Sequence, residues 1–166
     1  MICSVLTQMD NERLANLTTG LRMIPADPPD TYLGVAYGMI RGVRILSDAK
    51  PTSNLALSLV SAHVLECALK AYLSKDGSDS AVRTPDVRHN LIALWRLAHK
   101  DGLNVPKQPF DWVNVLSHVH DCPYYLRYST GVHGISVPGP EPMVTELETL
   151  LERVKKISVV LHDHES

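Results

Sequence analysis

The sequence is poor in cysteine, in aromatic residues and in excess charge of either sign. Its three cysteines, Cys3, Cys67 and Cys122, are odd in number and far apart. Such a set makes no disulfide framework and fits free thiols in a reducing compartment. The formal net charge is −2, which argues against coating of nucleic acid by bulk electrostatics, because such binders carry an obvious basic excess. No uninterrupted apolar run reaches the roughly 18 residues that cross a bilayer, so no membrane partner is expected. The start, MICSVLTQMDNERL, lacks a basic opening and brings Asp10 and Glu12 early. It does not resemble a secretory signal, and a cytoplasmic location is the expectation. A phosphate-cradling glycine motif, a Gly-x-Ser-x-Gly elbow and paired catalytic carboxylates are all missing from the sequence.

What is present is enough apolar surface for one core. At 166 residues and 45% hydrophobic content, the chain suits a single folded domain and not a disordered one. Residues 1–27 form an extension of uncertain structure, with a possible short helix over Gln8–Thr18 ahead of Pro25, Pro28 and Pro29. From Leu33 to Leu46 apolar residues recur at spacings of three and four, predicting an amphipathic helix over 31–47 capped by Asp30 or Thr31. Gly34, Gly38 and Gly42 line one side of it. Tight packing inside the bundle is the favoured role for that stripe, ahead of a dimer seam. A second helix, about 52–74, is apolar over most of its circumference, with a narrow polar line of Asn54, Ser58, Glu66, Lys70 and Ser74. That pattern belongs in the middle of a bundle.

The polar stretch 75–88 reads as a long and mobile connection. Two shorter helices follow, about 89–100 and 110–120, separated by Gly102, Pro106 and Pro109. The segment 123–142 is too rich in glycine and proline for continuous helix beyond Ser129. A last helix begins near Glu141-Pro142, with acidic residues early and Lys155 and Lys156 late, matching the helix dipole. The tail from His162 reads as frayed. The expectation is an all-α, up-and-down bundle of four to five helices over 28–162, with a tail at 163–166.

Three features, AHVLECALKAYL (62–73), RHNLIALW (88–95) and PYYLRY (123–128), follow one another in order. Together they resemble the HEPN superfamily of small helical domains, named for nucleotide binding in prokaryotes and higher eukaryotes. Glu66 and Lys70 match its E-x-x-x-K habit, and His89-Asn90-Leu91 matches its H-[DN]-L. Arg127 and His133, five residues between them, match the Arg-to-His spacing of its endoribonucleases. The resemblance implies a HEPN-like bundle, commonly homodimeric, with RNA or a nucleotide as ligand and a nucleotidyltransferase or antitoxin as a further partner. It implies no cofactor and no metal. If the chain is an enzyme, the resemblance implies a metal-independent, toxin-like endoribonuclease. There His133 would act as acid or base on the ribose 2′-hydroxyl and leaving oxygen, and Arg127 would hold the scissile phosphate. Tyr128 stands where those nucleases place a polar residue, and Gly131 and Gly134 put the segment in a loop. The sequence is thus closer to the arginine–tyrosine branch, for which non-catalytic binding is the expectation. A protein-interaction scaffold without ligand is the third possibility.

The residues themselves leave alternatives open. Arg127 beside Tyr124 and Tyr128 could bind a nucleotide by phosphate contact and stacking, or could pair with Glu66 inside the bundle. Glu66 and Lys70, one turn apart, form either an ordinary helix ion pair or the rim of a ligand pocket. His89 is either a helix cap, the favoured role, or a phosphate contact. His118-Val-His120-Asp-Cys122 resembles a metal cluster, but helix positions two apart point about 200° from each other, and no second ligand pair of suitable spacing accompanies it. Arg83, Arg88, Arg96, Lys100 and Lys107 outnumber Asp86 and Asp101 over 83–107. This local excess is the best candidate for a nucleic-acid surface, against the plainer role of a solvated helix face.

Overall fold

The computed structural model describes residues 27–128 and 131–164, with side chains described through residue 158. The expected helix over Gln8–Thr18 lies outside these residues. Among the described residues, five α-helices follow one another: α1 (Asp30–Asp48), α2 (Asn54–Leu73), α3 (Leu91–Lys100), α4 (Asp111–His120) and α5 (Met143–His164). A single 3-10 turn, Ser80–Val82, lies between α2 and α3, and there is no strand among the described residues. The fold is an all-α bundle.

Helix α2 is its axis, packing against all four of the others. Leu57, Val64, Leu65, Ala68 and Leu69 are fully buried on different sides of it, as a helix apolar nearly all round requires. By length and composition α2 is also the one described helix long and apolar enough to cross a membrane, and most of it is buried inside the bundle. Helix α1 runs antiparallel to α2: Lys70 lies over the Tyr32 ring, and Gly42 faces Val60. It is antiparallel to α5 as well, with Tyr37 donating to Glu152 at 3.0 Å and Arg44 paired to Glu148. Helix α3 buries Leu91, Leu94, Trp95 and Ala98. The Trp95 indole N–H donates to the Pro106 carbonyl at 2.8 Å, fixing the turn that leads to α4.

Several local expectations are corrected. Pro29, not Asp30 or Thr31, occupies the cap position of α1, and Asp30 is its first residue. Gly34 and Gly38 are exposed, and a Cβ on either would meet nothing within 4 Å. They lie about 200° around the helix from buried Ala36 and Ile40, so the glycine stripe is not packed inside the bundle; of its members only Gly42 approaches a neighbour. The connection 75–88 is anchored rather than loose. It carries the 3-10 turn and fully buried Val82, and Asp79 accepts from Tyr32 at 3.0 Å and pairs with Arg83. The last helix begins one residue after Pro142 and runs on to His164, so 162–164 are helical, not frayed. Ser58, Glu66 and Lys70 on α2 and Ser74 at its C-terminal cap are all buried: most of the polar line faces the inside of the molecule.

Candidate functional site

A carboxylate buried in the centre of an apolar bundle must be paired. Glu66 is 4% exposed and accepts hydrogen bonds on both oxygens. One turn along α2, the Lys70 ammonium donates to Oε1 at 2.6 Å. From the end of α4, His120 Nε2 lies 2.7 Å from Oε2. Just ahead of α3, His89 Nδ1 lies 3.3 Å from the same oxygen. One side chain of α2 thereby fixes the entry of α3 and the exit of α4. The Glu66 carboxyl feels burial first, which raises its pKa. The His120 and Lys70 hydrogen bonds and the Lys70 charge outweigh burial and hold it at about 2. His120 Nδ1 is buried and has no partner among the described residues.

Outside this buried group lies a rim of rings and one cation. Tyr124 meets His89 edge-on, centroids 6.0 Å apart, and His89 meets His120 in the same way at 6.3 Å. The Arg127 guanidinium lies over the Tyr124 ring at 5.3 Å. Tyr124 takes φ 64, the left-handed region that non-glycine residues rarely enter. Its carbonyl accepts from both Arg127 N–H (2.8 Å) and Tyr128 N–H (2.9 Å). This turn delivers Arg127 and Tyr128 to the surface, where Tyr128 is 62% exposed. His89 is half-buried, its side chain 28% exposed.

The structure therefore brings together Glu66, Lys70, His89, Tyr124 and Arg127, with Tyr128 adjacent. Two alternatives weighed on the sequence are corrected. Arg127 does not pair with Glu66, whose oxygens are taken by Lys70, His120 and His89. The helix ion pair between Glu66 and Lys70 forms as expected, and it is buried. His89 is not the cap of α3; Asn90 is, its Oδ1 accepting from Ala93 N–H at 2.9 Å. His133 stands elsewhere, in a groove of about 600 Å³ formed with Asn54 and Leu55 at the start of α2 and with Val132–Val137. Arg127 lies within electrostatic reach of His63 on α2. Arg127 is not part of the His133 groove, and the two share no hydrogen bond.

His118 and His120 point apart, as their helical spacing requires: His118 and Cys122 are exposed and His120 is 1% exposed. His120 instead joins Glu66 and His89, and one donor atom from each of the three lies within 4.8 Å of the others. The sequence carried a signal for this, since Trp112, Leu116 and His120 share the buried face of α4 at intervals of four. His63, half-buried with Nε2 3.8 Å from Cys67 Sγ, also belongs to this neighbourhood. Burial lowers its pKa; Glu66 opposes the shift, and His120, Arg127 and Lys70 add to it. No family model matches this chain, and no curated protein or solved structure is significantly similar to it.

Proposed function

We propose that the chain is a HEPN-like bundle of the arginine–tyrosine branch that binds RNA or a nucleotide, without catalysis, at the Arg127–Tyr124–Tyr128 rim. The observation that carries this reading is the Arg127 guanidinium, exposed at the surface, seated on Tyr124 and free of any carboxylate among the described residues. A planar, permanently charged fork suits a phosphate, and the neighbouring exposed ring of Tyr128 suits a base. The buried Glu66 network supports the reading by holding His89, and through it Tyr124, in place. Further support comes from the α3 surface, where Arg96, His99, Lys100, Lys107 and Gln108 line a groove of about 550 Å³ with no acidic residue. Such a groove offers a polynucleotide a second set of phosphate contacts besides Arg127.

The test is fluorescence anisotropy with a labelled single-stranded RNA and, separately, a labelled nucleoside triphosphate. The expected result is binding that weakens steeply with salt and falls at least tenfold in Arg127→Ala. Tyr124→Asn should also lose affinity while keeping the fold, because asparagine tolerates the left-handed turn but removes the ring. Absence of binding at low salt, or binding indifferent to Arg127→Ala, overturns the proposal.

A further inference from the structure

We infer that Glu66, His89 and His120 form a binding site for one divalent ion of the zinc class. This goes beyond phosphate binding at Arg127 and does not depend on it. Two of the donors sit in the buried wall of the bundle and the third at its opening, which is the arrangement of three protein ligands with one open position. In a tetrahedral site with bonds of about 2.0–2.1 Å, ligand atoms stand roughly 3.3 Å apart. Glu66 Oε2 and His89 Nδ1 are already at 3.3 Å. Glu66 Oε2 and His120 Nε2, now hydrogen-bonded at 2.7 Å, need to open only slightly.

Two imidazole nitrogens and one carboxylate oxygen select zinc or cobalt over magnesium and calcium, which require oxygen shells. The outer shell is partly built. Lys70 grips Oε1 at 2.6 Å and turns Oε2 towards the two histidines, the usual service of a second partner to a ligating carboxylate. To ligate the ion, His120 would present an unprotonated Nε2 and carry its one ring proton on Nδ1, the other neutral tautomer. The charges facing the site are Lys70 beside it and, further out, Arg127, with His63 nearby. An ion added to these leaves the site electropositive, so its open position favours an anionic or hydroxide fourth ligand.

The experiment uses the full chain, stripped with chelator and titrated with Zn²⁺ by calorimetry and with Co²⁺ by visible absorption. The expected result is one ion per chain and a four-coordinate cobalt band without thiolate charge transfer. His89→Ala and His120→Asn should weaken uptake at least tenfold, while His118→Ala and Cys122→Ser bind as the wild type does. Circular dichroism checks that each variant is folded. If His120→Asn does not fold, the half-buried His89→Ala decides. No uptake by the wild type, uptake unchanged in His89→Ala, or uptake lost in His118→Ala or Cys122→Ser overturns the assignment.

Discussion

Glu66 is held ionised inside the bundle because His120 and Lys70 converge on it, and each contact can be broken separately. Glu66→Gln removes the charge while keeping the shape, leaving the Lys70 ammonium 7% exposed and without its counter-ion. Loss of one partner of a buried pair costs about 3–5 kcal/mol, a fall that urea unfolding will register. The same carboxyl sets an acid limb. Its pKa in the fold is about 2 against an ordinary 4.5, so the stability it contributes is complete above pH 4.5 and is lost as pH falls from there towards 2. With chelator present, wild-type stability should decline across that window, and the decline should shrink in Glu66→Gln. Cys67 gives a second residue-scale test. Burial first, then the Glu66 charge, pushes its thiol up to about 12, whereas Cys122 is exposed. Alkylation at pH 8 followed by peptide mapping should label Cys122 well before Cys67.

Helices α1 and α2 depart from their own best sequences in ways that packing exposes. Ser61 on α2 is fully buried and its hydroxyl has no partner among the described residues. Ser61→Ala removes an unsatisfied group and adds helix propensity, and should raise stability by about 1 kcal/mol in a denaturant titration. Gly38 on α1 faces open space, so Gly38→Ala should stabilise by roughly 0.5–1 kcal/mol. The same substitution at Gly102 should destabilise, because that residue sits at φ +97 just after α3, with the Tyr72 hydroxyl 3.7 Å from the site of an added Cβ. Thermal melts of the two glycine variants should therefore move in opposite directions.

Across the whole molecule, charge is arranged by surface and not by total. The chain is slightly acidic overall, yet α3 presents Arg96 and Lys100 one turn apart, beside Lys107 and away from any carboxylate in their groove. If a polynucleotide contacts that groove as well as Arg127, Arg96→Ala with Lys100→Ala should weaken RNA binding and lower its salt slope by about two. Binding of a single nucleotide at Arg127 should be unchanged by the pair. Anisotropy at several salt concentrations separates the two effects.

The helical periods were legible in the chain, because burying one face at 3.6 residues per turn demands apolar residues three and four apart. So was the central place of α2, whose apolar circumference has no other use in a bundle. The opposed directions of His118 and His120 followed from helix geometry alone. The tertiary fold decided the rest. Nothing in residue spacing could show that His120 meets a carboxylate 54 positions earlier, that the polar line of α2 is mostly turned inward, or that the glycine stripe is largely left in solvent. Local periodicity is written in each segment, whereas the meeting of Glu66, His89 and His120 depends on how three helices stack, and that is fixed only when their apolar faces are buried together.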